Sequence, residues 1–203
     1  MQKDCGIYAL FGRSTIYKCI QNVMGNKNGW HVYVETFIRP YPGCRVLDIG
    51  CGPASILEYL GEVVYHGFDI NPEYITAAKV KYGSRGTFSC ESVNARSLNT
   101  YGPFDIILAT GVLHHLEDSE VETVAVAARQ ALAPAGRFVS LDCCRRDGQN
   151  PVAKFFIERD RGKNVRTAAE YARFFEAGFT VNGTLTNLLR VPYDHWIMEC
   201  APR

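Results

Sequence analysis

The sequence predicts an α/β fold: a doubly wound, mostly parallel sheet with helices on both faces, closed by an antiparallel C-terminal strand. Three observations carry that prediction. From residue 45 onward short apolar runs alternate with helix-patterned stretches, the rhythm of strand–helix crossovers in a parallel sheet. The run "FDIILATGV" (104–112) has six apolar residues in nine, which suits a strand buried on both faces. After residue 142 the rhythm breaks, and the tail ends in two apolar stretches joined by a short turn through Pro192, which must pair antiparallel. A length of 203 residues fits a single domain: a helical N-terminal cap (1–40), a core (44–142), and a variable segment leading into the hairpin (143–203).

Taken in order, residues 1–40 lack a strand signal and read as one or two helices packed across the top of the sheet. "CRVLDIG" (44–50) is the first strand, and "ASILEYLG" (54–61) a helix with Ile56, Leu57 and Leu60 on one face. "EVVYHGFDI" (62–70) is the second strand, and Pro72, at the first turn, opens the helix "EYITAAKVKY" with Asn71 before it. "GTFSCES" (86–92) and the run at 104–112 are the third and fourth strands. "DSEVETVAVAARQALAP" (118–134) is a helix with Asp118 as N-cap and Pro134 beyond its end. "GRFVSLD" (136–142) is the fifth strand. An irregular charged stretch (143–166) precedes the helix "TAAEYARFFEAG" (167–178), and the last strands cover about 179–189 and 195–202.

The turn "DIGCGPAS" locates a ligand site. In an open α/β sheet, ligands bind beyond the carboxyl ends of the strands, where strand order reverses. Gly50 and Gly52 follow the first strand there, and small residues let the backbone approach a ligand closely. Two glycines also permit a plain tight turn, but Asp69, at the end of the second strand, adds a carboxylate placed for both hydroxyls of a ribose. Together they indicate a nucleoside. A dinucleotide turn would carry a third glycine where Ser55 stands and an apolar residue where Asp48 stands. A carboxylate at Asp48 is awkward beside a pyrophosphate and suits an adenosyl amino acid bearing an ammonium and a sulfonium.

The segments "VLDIGCGPA", "GFDINPEYITAA", "FDIILATGVLHHLED" and "LAPAGRFVSLD", in this order and spacing, resemble the class I S-adenosylmethionine-dependent methyltransferases of small-molecule type. The resemblance covers about residues 44–142. It implies a Rossmann-like seven-stranded sheet with an antiparallel last strand, and S-adenosylmethionine as cofactor with S-adenosylhomocysteine as product. It places Asp48, Gly50, Gly52, Asp69, its neighbour Ile70, and Thr110 at the cofactor. The family has a third glycine where Ala54 stands, and an acidic residue after the third strand where the best match is Asn94, followed by Ala95. In related enzymes a helix closes over the cofactor. "RSTIY" puts Arg13 and Tyr17 on one face of such a helix, Arg13 for the cofactor carboxylate and Tyr17 for the substrate.

Methyl transfer needs positioning and a deprotonated nucleophile. His114 and His115 follow the fourth strand directly, and histidine moves protons near neutral pH, so one of them, His115 before His114, is the candidate general base; packing is the competing role. Asp142 ends the fifth strand and is placed to orient a base or accept a substrate hydroxyl, or to cap a loop. Arg161 and Arg166, within "ERDRGKNVR", lie where this family builds its acceptor pocket, although a solvated charge run is the competing reading. "VPYDHW" (191–196) can also reach the pocket, although aromatics at a hairpin commonly serve the core.

Composition narrows the function class. A net charge of +1 with scattered basic residues gives no footprint for nucleic acid or an anionic membrane. The eight cysteines show no C-x-x-C pair and no zinc spacing, so no metal is expected and the thiols read as reduced core filler of a cytoplasmic protein. The first residues carry no signal-peptide pattern, and there is no 18-residue apolar run. The tail "RVPYDHWIMEC" and the "DRG…VR" segment resemble methyltransferase-like proteins of bacterial biosynthetic clusters, surface-polysaccharide ones included, and that resemblance implies O- or N-methylation of a small molecule in the biosynthesis of a secondary metabolite or a polysaccharide sugar. Two other classes compete. A non-catalytic adenosyl-binding partner subunit is opposed by intact Asp48, Gly50, Gly52 and Asp69. A nicotinamide-dependent reductase is opposed by Asp48, Ser55 and the lack of a Tyr-x-x-x-Lys.

Overall fold

The computed structural model describes residues 27–93, 98, 100–160, 162–188 and 192–203. Its strands are β1 (Arg45–Ile49), β2 (Val64–Phe68), β3 (Gly86–Ser89), β4 (Phe104–Thr110), β5 (Leu132–Arg145), the two-residue β6 (Arg166–Thr167), β7 (Phe179–Thr186) and β8 (His195–Pro202). They line up in the order β3-β2-β1-β4-β5-β8-β7, with β6 paired to β5 off this path. From β3 to β5 every pair is parallel. β8 is inserted between β5 and β7 and runs antiparallel to both, so the hairpin closes the sheet at one edge. The order turns back between β1 and β4, and the crevice outside their carboxyl ends is where an open sheet of this kind binds ligands.

Alternation along the central strands explains why their sequences look uniformly apolar. Val46, Ile106, Leu108 and Val139 face one core cluster, whereas Leu47, Ile107, Ala109 and Phe138 face the other. The first cluster is covered by helix α1 (Lys27–Tyr33), the π-helical turn Val34–Ile38 and helix α2 (Pro72–Tyr82). The second is covered by helix α3 (Asp118–Ala131), through Val121, Ala125, Ala128 and Ala131. α2 begins as the sequence indicates: the Asn71 side chain accepts from the backbone N–H of Glu73 and Tyr74, and Pro72 follows. No helix among the described residues is long and apolar enough to cross a membrane. Of the described cysteines, Cys44, Cys51, Cys143, Cys144 and Cys200 are buried free thiols and Cys90 is exposed.

Several elements differ from the sequence reading. The helix after β1 is a single 3-10 turn, Ser55–Glu58, which buries Ile56 and Leu57; Leu60, just beyond it, is also buried, and the chain turns away at Gly61, whose φ is +70°. α3 ends at Ala131 because Leu132 already pairs with Phe104, so Pro134 lies in the irregular start of β5. Its N-cap is Glu117, in a reciprocal capping box with Glu120, which leaves Asp118 free for Arg166 and Arg173. The stretch 143–166 contains helix α4 (Pro151–Glu158), capped by Asn150. The helix expected over 167–178 is α-helical only as α5 (Ala168–Ala172), opened by a Thr167–Glu170 capping box.

Candidate active site

The turn leaving β1 takes the left-handed backbone three times, at Gly50 (φ +67°), Gly52 (φ +55°) and Ala54 (φ +55°). For the buried Ala54 that conformation costs about 1–2 kcal/mol, the consequence of lacking the family's third glycine. The two glycines have separate reasons. A Cβ on Gly50 would stand 2.6 Å from Val112 Cγ2, so the turn is pressed against the loop after β4. A Cβ on Gly52 would meet nothing within 4 Å among the described residues, which leaves its backbone open to a close approach.

Asp69, just beyond β2, is fixed from both sides. Its Oδ2 accepts from the Gly52 N–H at 2.9 Å and its Oδ1 from the Asn71 N–H at 2.8 Å. Each oxygen keeps a further lone pair, so the carboxylate can accept from two vicinal hydroxyls while staying in place. Ile70 beside it is 74% exposed, an apolar surface suited to a flat base. These residues fit an adenosyl group. Asp48 is buried beneath the turn and accepts from the Tyr65 hydroxyl at 2.5 Å. Burial pushes its carboxyl up to about 7, the Tyr65 bond partly opposing. Thr110, at the end of β4, shares a hydrogen bond of 3.3 Å with the hydroxyl of Tyr33. Arg13, Tyr17, Asn94, Ala95 and Arg161 lie outside the described residues.

Beyond Thr110 a polar cluster occupies the carboxyl end of β4 and β5. His114 is buried, with Nδ1 2.8 Å from Asp142 Oδ1 and Nε2 3.3 Å from Asp160 Oδ1. Burial disfavours its charge, but the two carboxylates outweigh this and raise its pKa to about 9. Asp160 is likewise disfavoured by burial and is held down at about 2 by bonds from His114 and the Gly162 N–H. Tyr193 donates to Asp160 Oδ2 at 3.1 Å, and His195 at the start of β8 is buried, which lowers its pKa to about 4. Gly162 makes this closeness possible: a Cβ there would lie 2.1 Å from His114 Cδ2. His115 is exposed, its ring centroid 4.1 Å from that of His114.

The geometry corrects two sequence assignments. With both ring nitrogens engaged by carboxylates, His114 is not a free base facing an acceptor. Arg166 is neither a substrate ligand nor part of a solvated run. It is buried, and its five N–H groups go to Asp118 Oδ1 (two bonds) and to the carbonyls of Leu113, Leu116 and Asn164. Asp142 Oδ1, 2.8 Å from His114 Nδ1, fixes the orientation of that ring. Asp160, Tyr193 and His195 complete the cluster; the first was hidden among arginines in "ERDRG", and the others sat in the hairpin stretch "VPYDHW".

Residues 47–138 match the methyltransferase domain family model. Ubiquinone biosynthesis O-methyltransferase of Cereibacter sphaeroides is 32% identical over 118 residues, 55% of this chain and 44% of that protein; its counterpart from Xylella fastidiosa is 31% identical over 107 residues, 50% and 43%. The matches thus span less than half the length of these relatives. In fold, a TehB-like S-adenosylmethionine-dependent methyltransferase of Corynebacterium glutamicum superposes with a TM-score of 0.69 at 16% identity, over 94% of this chain and 96% of that one. A magnesium protoporphyrin IX methyltransferase from Synechocystis, solved with bound S-adenosylhomocysteine, gives 0.66 at 19% identity, over 97% and 98%. The domain match falls on β1 to β5, where the glycine turn, Asp69 and the reversal of strand order lie, so the likeness to methyltransferases rests on the part of the fold that builds this site.

Proposed function

We propose that the protein transfers a methyl group from S-adenosylmethionine to an oxygen or nitrogen of a small-molecule acceptor, in the biosynthesis of a secondary metabolite or a polysaccharide sugar. The observation that carries this reading is the Asp69 carboxylate, fixed by the Gly52 and Asn71 N–H groups beside the open Gly52 backbone and the exposed Ile70. When bound, the donor supplies a methyl group already activated by its sulfonium. The chain's part is then to hold and orient. Asp69 accepts the ribose hydroxyls, Gly52 admits the ligand close to the backbone, Ile70 offers a face to the adenine, and Asp48 provides negative charge for the amino-acid end. On the acceptor side, His115, the exposed member of the histidine pair, is assigned to assist loss of the acceptor proton. The O-methyltransferase names of the matched relatives favour an oxygen acceptor. Unpaired buried thiols accord with the reducing cytoplasm.

Incubation with radiolabelled methyl donor and panels of phenols, sugar nucleotides and amines tests the assignment, and label should appear in one class. Donor binding without transfer to any panel would favour the competing role of a non-catalytic adenosyl-binding subunit.

A further inference from the structure

We propose that His114, His115 and Asp160 hold a divalent transition-metal ion of the zinc class beside the end of β4. One ligand atom from each of the three lies within 4.8 Å of the other two, and the His114 Nε2–Asp160 Oδ1 separation of 3.3 Å is that of two neighbouring ligands on one ion. Two imidazoles and a carboxylate suit zinc and its neighbours better than magnesium or calcium, which prefer all-oxygen sets.

The surroundings are built as a metal site requires. Asp142 Oδ1 sits 2.8 Å from His114 Nδ1, so with that nitrogen carrying its proton Nε2 is left as the ligand atom, the arrangement by which a carboxylate aims a metal-binding histidine. The His114 N–H also donates to Asp142 Oδ1, at 3.2 Å, which fixes main chain and ring together. Asp160 is aimed in the same way, by the Gly162 N–H on Oδ1 and the Tyr193 hydroxyl on Oδ2. The Asn164 N–H bonds the His114 carbonyl at 3.0 Å, clamping the two loops together. Charge agrees: two neutral imidazoles, the carboxylates of Asp142 and Asp160 and one divalent ion sum to zero. Binding displaces the proton shared by His114 Nε2 and Asp160 to solvent.

His115 lies on the exposed side, so the remaining coordination positions open outward. An acceptor hydroxyl arriving from that side can take one of them and lose its proton to solvent more readily on the ion. This last role rests on the methyltransferase reading above; the ion site does not. His115 then assists deprotonation as a ligand and not as a free base.

The test uses the whole chain, stripped with a chelator and titrated with Co2+ and Zn2+ in the absence of donor and acceptor. One ion per chain should bind, with a cobalt d–d spectrum of nitrogen and oxygen ligands. His115→Ala and Asp160→Asn, checked for folding by circular dichroism, should each weaken binding about tenfold or more, and Asp142→Asn about 10–100-fold. No uptake with ion in excess, equal affinity in His115→Ala and Asp160→Asn, or a thiolate-to-cobalt charge-transfer band assigning the ion to cysteines would overturn it. S-adenosylhomocysteine calorimetry on the same samples separates failure of the ion site from failure of the methyltransferase reading.

Discussion

Asp48, the carboxylate proposed for the amino-acid end of the donor, also bears on stability. Its carboxyl is buried under the turn, and burial raises its pKa to about 7 from the ordinary 3.8, with the Tyr65 hydroxyl pulling the other way. A raised folded-state pKa means that the folded protein holds this proton more tightly than the unfolded chain. The associated stability is complete below about pH 3.8 and is lost as pH rises through about 7. Asp48→Asn removes that dependence. Urea unfolding at several pH values should show the variant gaining on the wild type as pH rises across this window, by an amount on the order of 1–3 kcal/mol. A difference that is flat with pH would show that Asp48 ionises freely in the fold. At this scale the positions of Asp48, Gly50, Gly52 and Asp69 were legible from sequence because they are set by strand ends and a turn. Asp160 was not, because only tertiary contact brings it to His114.

The loop after β4 is held less by its own sequence than by a later one. Arg166, in β6, bonds the carbonyls of Leu113 and Leu116 on either side of the histidine pair, and Asp118 at the start of α3. A lysine keeps the charge but cannot serve this fork of acceptors. Arg166→Lys should therefore cost about 1–3 kcal/mol in urea unfolding, for lost bonds to buried carbonyls. An unchanged midpoint would mean the loop holds itself. His115→Ala belongs here too: turnover on the true acceptor should fall about 10²–10⁴-fold while S-adenosylhomocysteine affinity stays constant. Near-wild-type turnover would show that positioning alone suffices. The elements that sequence reading located best, β1, β4 and α2, carry strong local signals: two-sided burial, or an Asn–Pro start. The helix expected after β1 shrank to one turn because the chain leaves it at Gly61 to begin β2, a constraint that residues 54–61 alone do not express.

For the molecule as a whole, β8 is the closing piece. It joins β5 to β7 by antiparallel ladders on both sides, and Met198, Ile197 and Cys200 are fully buried. Truncation before His195 should remove cooperative unfolding and far-ultraviolet dichroism together; a truncated chain that still melts cooperatively would contradict this placement. The hairpin was legible from its Pro-containing turn, whereas the insertion of β8 beside β5 follows from pairing between segments distant in the chain. The central claim is that β1, β2 and β4 together form a site for an adenosyl amino acid. Calorimetry of wild type and Asp69→Ala with S-adenosylhomocysteine, with NADH as the control ligand, tests it most directly. The account predicts S-adenosylhomocysteine binding that weakens by about 1.5–3 kcal/mol in a folded Asp69→Ala variant, and no binding of NADH. Equal affinity in the two proteins, or binding of NADH in place of S-adenosylhomocysteine, would contradict it.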